Sequence, residues 1–244
     1  MESTSVSKRE AELIDAVDEK GMMFFGPRDV RRFLGITARN AYQLLRRMKQ
    51  KGLVIHVERG KYVLRERWGE TDIRALASNL VTPSYLGLWS ALHFHHMTEQ
   101  VPRTVFVVTT RRTEDREIRG NEIRFVTVRE ELMFGYERLS DTVVSTPEKT
   151  VVDCLLFPKH APVSVVNDAL ARDDLDVDIL VDYCVRVGSG ALAARLGYLL
   201  ERNGMLERAD ELKGLVTSYT KLDPSGDETS PASDWKLYVN VNLQ

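Results

Sequence analysis

Apolar residues in the first part of the chain recur with helical spacing. Ala11, Ile14, Ala16 and Val17 fall on one side of a segment that Ser7 can cap and Gly21 can stop. After the apolar link from Met22 to Phe25, Gly26-Pro27 opens a second segment with Val30, Phe33 and Leu34 inward and Gly35 at its end. Proline suits the first helical turn and glycine the position just past the last. Only Gly35-Ile36 separates this from the next start signal. Thr37 is a good N-cap for a third segment, in which Ala41, Leu44, Leu45 and Met48 repeat at i, i+3, i+4 and i+7 before Gly52. Two β-prone runs follow, Leu53 to Val57 and Lys61 to Leu64, around the turn Glu58-Arg59-Gly60. The pattern predicts three helices, a tight turn between the last two, and a hairpin.

Past a polar connector, Arg65 to Glu70, the pattern is mixed. Thr71 can cap a helix carrying Ile73, Leu76, Ala77 and Leu80, and Pro83 can start another through Leu86, Trp89, Leu92 and His93. Residues 104–110 and 123–128 are β-rich, and the link between them holds Arg111, Arg112, Arg116, Arg119 and the turn-forming pair Gly120-Asn121. Pro147 opens a helix with Val151, Val152, Leu155 and Leu156, and helical patterns cover 163–171, 177–187, 191–203 and 206–216. A Pro/Ser/Gly/Asp-rich loop, 223–234, precedes an alternating run, 235–242, that suits one last strand returning to the sheet. The fold class expected is α+β. An N-terminal winged helix-turn-helix over residues 1–67 is followed by a larger mixed α/β domain over 68–244 with a helical C-terminal half.

Composition narrows this little: 244 residues, 43% hydrophobic and 29% charged, describe an ordinary globular chain of one or two domains. The two cysteines, Cys154 and Cys184, cannot build a disulfide framework and suit a reducing compartment. The start MESTSVSKREAEL lacks the apolar stretch of a secretory signal. The longest uncharged stretch, Ala75 to Thr98, holds Asn79, Pro83 and three histidines, which a bilayer core would not accept. A cytoplasmic protein with no membrane span is expected.

Charge changes the picture once it is divided by position. The net charge of −2 is the sum of +6 over residues 1–67 and −8 over the rest, and Arg28 to Arg67 alone holds 12 basic and 3 acidic residues. A basic head on an acidic body suggests a nucleic-acid reader joined to something else. At about 100° per residue the outward face of the third helix is centred on Arg39, Gln43, Arg46 and Gln50, with Asn40 and Arg47 flanking. Arg, Gln and Asn make bidentate hydrogen bonds to base edges, and displaced cations meet phosphates. Arg59 and Lys61 at the hairpin tip are where a wing would reach an adjacent phosphate or minor groove. A solvated basic helix and a plain surface hairpin are the alternative for each feature alone; their order points to double-stranded DNA.

Catalytic chemistry is mostly absent. His93, His95 and His96 are close together but lack an acidic or cysteine partner nearby, so polar packing explains them better than a metal. Gly188-Ser189 and Asp174-x-Asp176-x-Asp178 are the parts of a nucleotidyltransferase in the wrong order, and Glu148-Lys149 are adjacent at a helix start rather than spaced as in a metal-dependent nuclease. There is no P-loop, dinucleotide fingerprint or nucleophile elbow. Cys154 and Cys184 lie on apolar helical faces. The acidic segment Asp168, Asp173, Asp174, Asp176, Asp178 and Asp182 is read as solvated helix ends, with a docking surface for a basic partner as the sharper reading. No catalytic residue, metal or cofactor is expected.

A resemblance covers nearly the whole chain. Residues 83–92 (PSYLGLWSAL), 105–112 (VFVVTTRR), 145–154 (STPEKTVVDC), 196–201 (LGYLLE), 221–224 (KLDP) and 235–241 (WKLYVNV) resemble, in order, the AbiEi family of antitoxins from type IV toxin-antitoxin systems linked to abortive phage infection. The resemblance implies a winged helix that binds inverted repeats in its own promoter and represses the operon. It further implies a C-terminal domain that counters a nucleotidyltransferase toxin without a stable complex. Carried over, the DNA-contacting positions are Arg39, Asn40, Gln43, Arg46, Arg47, Arg59 and Lys61. Arg111, Arg112, Ser145, Pro147, Glu148, Lys149 and Asp153 match recurring positions of the body, whether by action or by folding. Two readings stay open beside this one: a ligand-responsive winged-helix transcription factor, and a nuclease or nucleotide-processing enzyme steered by a winged helix. Whether two copies pair on DNA is also open.

Overall fold

A computed structural model describes residues 5–172, 175–227 and 230–243. Asp173 and Asp174 of the acidic segment, and 228–229 of the late loop, lie outside the described residues. The chain divides into two compact units, Met1–Leu76 and Ala77–Gln244.

The first unit runs α1 (Lys8–Glu19), α2 (Pro27–Leu34), α3 (Ala38–Gln50), β1 (Val54–Glu58), β2 (Lys61–Leu64) and a short α4 (Arg65–Trp68), and α5 (Ile73–Ser78) crosses the point of division. One apolar cluster holds it: Leu13 and Val17 from α1, Val30 from α2, Ala41, Leu44, Leu45 and Met48 from α3, and Phe25, Val54 and Leu64. Glu10 is buried as well, because it makes two ends meet. Its carboxylate accepts from the Ser7 backbone N–H at 2.8 Å and from the Lys51 Nζ at 2.6 Å, so the last turn of α3 is tied to the first turn of α1. Burial pushes the Glu10 carboxyl upward, but the hydrogen bonds from Lys51 and Ser7 and the Lys51 charge outweigh it and hold it below its ordinary value.

The second unit is built on a six-stranded sheet. In chain order its elements are β3 (Ser84–Leu86), α6 (Leu88–Phe94), β4 (Thr104–Thr109), β5 (Arg116–Ile118), β6 (Asn121–Thr127), β7 (Tyr136–Leu139) and β8 (Thr142–Ser145). Then come α7 (Pro147–Leu156), α8 (Val163–Leu170), α9 (Val177–Val187), α10 (Gly190–Arg202) and α11 (Leu206–Asp210). The strand order is β5-β6-β4-β3-β8-β7, with β4/β6 and β3/β8 parallel and the other neighbours antiparallel. The core runs from the sheet through α6, α7, α8, α9 and α10.

Several elements differ from the pattern reading. Residues 84–86 are a buried central strand rather than the first turn of a Pro83 helix, and the helix begins only at Leu88. A three-residue strand buried on both faces shows no alternation, so its run merges with the helix behind it. The hairpin β7–β8 left no signal because all four residues of edge strand β7 are exposed. The final strand, β11 (Leu237–Val239), does not return to the main sheet; it sits between β9 (Thr220–Lys221) and β10 (Ser230–Ala232) in a small sheet of its own. Trp235 anchors that sheet: its indole is fully buried against Gly197 of α10, where any Cβ would overlap the ring, and its Nε1 donates to Glu201. Buried Arg195 adds a second tie, donating to the backbone oxygens of Lys221 at 2.9 Å and Leu155 at 3.1 Å.

Candidate nucleic-acid interface

The placement of α3 follows from its two ends and one face. Gly35 adopts φ +61° to turn the chain out of α2, and Thr37 Oγ1 accepts from the Asn40 N–H at 3.3 Å to start α3. With Ala41, Leu44, Leu45 and Met48 buried, the opposite face is fixed toward solvent, and Arg39, Asn40, Gln43, Arg46, Arg47 and Gln50 are all exposed on it. Among the described residues none pairs with Arg39, Arg46 or Arg47, and α3 carries no acidic side chain. Tyr42, 61% exposed, stands on the same helix; a count of polar positions passes over it because an aromatic reads as core.

The hairpin is held from below. Phe25 and Tyr62 exchange backbone hydrogen bonds at 3.0 and 2.8 Å, which adds a third short strand beside β2. Gly60 takes φ +77° at the turn, and its carbonyl lies so close to Gly26 that a Cβ at Gly26 would overlap it. The tip is thereby fixed over the start of α2. Arg59 is exposed there, while Lys61 is half-buried with its ammonium 5.6 Å from the Phe24 ring. His56 packs on the Tyr62 ring at 4.8 Å. Burial, then the Lys49 charge, lowers its pKa, so it is uncharged at neutral pH.

In the second unit the candidate residues fall into two groups. Arg111 and Arg112 are exposed in the link after β4, and Arg111 lines a cavity of about 810 Å³ together with Arg129, Glu130 and Tyr136. Ser145, Lys149 and Asp153 are buried. Ser145 Oγ is 2.6 Å from Thr150 Oγ1, and its carbonyl is 2.6 Å from His95 Nε2. Lys149 Nζ donates to Asp153 and, at 3.0 Å, to Tyr85 Oη, while Tyr85 Oη donates to Asp153 at 2.8 Å. Burial raises the Asp153 carboxyl and the Lys149 charge opposes it. Glu148 faces elsewhere and accepts the Asp176 N–H at 3.3 Å. Lys149 and Asp153 are legible as an i, i+4 pair on a helix; Tyr85, 64 residues from Lys149, is not.

The remaining sequence candidates have ordinary surroundings. Cys154 and Cys184 are buried, and burial pushes the Cys184 thiol up to about 12 and that of Cys154 well up too. Such thiols stay protonated. Asp176 caps α9, accepting from Asp178 N at 3.0 Å and Ile179 N at 3.2 Å, and Asp178 pairs with Arg208 at 2.8 Å. Among the described residues no cluster of three His, Cys, Asp or Glu could hold a metal, and no helix is long and apolar enough to cross a membrane.

Residues 12–65, which take in most of α1 and all of α2, α3 and the hairpin, match a family model described as transcriptional regulator, AbiEi antitoxin. No curated protein matches the chain. The match lies within the first unit.

Proposed function

With residues 12–65 matched to the AbiEi antitoxin transcriptional regulators as the premise, we propose that this protein is a DNA-binding antitoxin that represses its own operon. In this reading the first unit is a winged helix-turn-helix whose α3 enters the major groove and whose hairpin is the wing. Arg39, Asn40, Gln43 and Arg46 read base edges in inverted repeats of the promoter, and Arg47, Arg59 and Lys61 grip phosphates. The observation that carries it is the exposed, acid-free face of α3, whose arginines have no partner among the described residues, lying within the matched segment. Such cations are held ready for an anion outside the molecule.

The test is titration of the full chain on its promoter DNA and on a scrambled duplex. Arg46→Ala or Arg39→Ala is expected to cost about 1–3 kcal/mol on the promoter and to relax the preference over scrambled DNA. Unchanged affinity and preference in both variants would remove α3 from the groove.

The second unit, in the same proposal, counters a nucleotidyltransferase toxin without forming a stable complex. Arg111, Arg112 and Glu148 act at its surface, and Ser145, Lys149 and Asp153 maintain the sheet-to-α7 junction beneath. Growth rescue on co-expression with the toxin of the same operon tests this. Rescue that survives Arg111→Ala/Arg112→Ala would remove these arginines from the neutralising surface.

A further inference from the structure

We propose that the second unit also binds a small aromatic anion, a planar ring system bearing a carboxylate or phosphate, at a cavity distinct from the residues discussed above. The cavity measures about 870 Å³ and is lined by α6, the loop before β4, the turn after α7 and the loop after β9. That volume is in the range of about 300–1,000 Å³ typical of small-molecule sites.

Its floor is apolar and aromatic. Phe106 of β4 and Trp89 of α6 line it, and the His160 ring rests 5.3 Å from that of Phe106. At the rim Val101 is 73% exposed, more than any other large apolar side chain among the described residues. A planar apolar body laid here would cover surface that the protein itself leaves wet.

The electrostatics select the sign of the ligand. Arg103 and Lys159 line the cavity, both exposed, and neither forms an ion pair or hydrogen bond with the described residues. Among the described residues the lining also contains one carboxylate, Asp223, which is already engaged. Its Oδ1 accepts from the Ser225 N–H at 2.8 Å and hydroxyl at 2.6 Å, and its charge faces the buried Arg195 guanidinium. Burial, with the Arg124 charge, keeps His160 uncharged near neutral pH, so it offers a polar ring nitrogen and no further charge. Two cations are therefore left without an ion-pair partner among the described residues, beside an aromatic floor. A neutral apolar ligand would desolvate them without compensation, and a bare inorganic anion would leave the floor uncovered.

Calorimetric titration of the full chain separates these contributions. The probes are adenosine monophosphate and 2-naphthoate as two sources of an aromatic anion, with adenosine and inorganic phosphate as the halves. Either aromatic anion is expected to bind at one per chain, at least about tenfold tighter than adenosine or phosphate. The double variant Arg103→Ala/Lys159→Ala, which removes only exposed unpaired side chains, should weaken it by at least about tenfold with the melting temperature unchanged. No saturable binding of either aromatic anion at about millimolar concentration would overturn the proposal. So would equal binding by the double variant, which would place the anion on the basic first unit, or phosphate or adenosine binding as tightly as the whole probe.

Discussion

Replacing Lys149 with methionine leaves the Asp153 carboxylate buried with, among the described residues, only the Tyr85 hydroxyl as hydrogen-bond partner. Lys149 is 0% and Asp153 1% exposed, so neither water nor another cation can take over. Removing one partner of such a pair costs about 3–5 kcal/mol, whereas replacing the whole group by apolar residues of similar volume is often neutral. For a unit of this size each kcal/mol lowers the melting temperature by about 2–4 °C, so K149M should melt about 6–20 °C lower by scanning calorimetry. The triple variant K149M/D153V/Y85F, which leaves no polar atom of the group behind, should recover most of that loss. The cost should also depend on pH. Burial raises the folded Asp153 pKa above its ordinary 3.8, and without Lys149 nothing of like strength opposes this. A carboxyl raised on folding contributes stability below its unfolded pKa and loses it as pH rises, so the K149M deficit should be small at low pH and grow toward neutrality. A deficit under about 1 kcal/mol, or a triple variant no more stable than K149M, would refute the argument. Growth rescue by a stable triple variant would further show that these residues serve the fold; lost rescue at normal stability would give them a part in neutralisation.

Other outcomes follow from single contacts. Arg59→Ala should flatten the dependence of log affinity on log salt by about 0.9, one phosphate contact, on any duplex; an unchanged slope removes the hairpin tip from the backbone. Gly26→Ala places a Cβ against the Gly60 carbonyl and should destabilise the first unit by about 1–3 kcal/mol in urea titration, since backbone cannot step aside; an unaltered midpoint would mean the hairpin is not docked there. Gly197→Ala should expel the Trp235 indole and shift tryptophan emission to the red; unchanged emission would contradict the packing of the small sheet on α10. The Glu10 carboxyl is lower in the folded state than its ordinary 4.5, so its contribution is complete above that value and lost as pH falls below it. Glu10→Gln should remove that part of the acid sensitivity, and identical acid unfolding of both proteins would contradict it.

The first unit is largely legible in the sequence. Its caps, stop glycines and i, i+3, i+4, i+7 apolar positions are local signals, and the side of α3 left for solvent follows from the side that must be buried. The charge division between head and body is a property of composition and needs no fold. What the sequence hid are contacts made across long separations or by elements too short to show a period. Residues 84–86, a central strand of three residues, and β7, exposed on an edge, have no alternation to read. The i, i+4 spacing of Lys149 and Asp153 does not show that the pair is buried or that Tyr85 completes it, and the exposed hairpin tip does not show that Lys61 rests on Phe24. The alternating run 235–242 suits a strand, but the main sheet expected for it is not the one it joins. Only the fit of the Trp235 indole over Gly197 decided that, because a fully buried indole goes where a glycine leaves room for it, and no local pattern records where that room is.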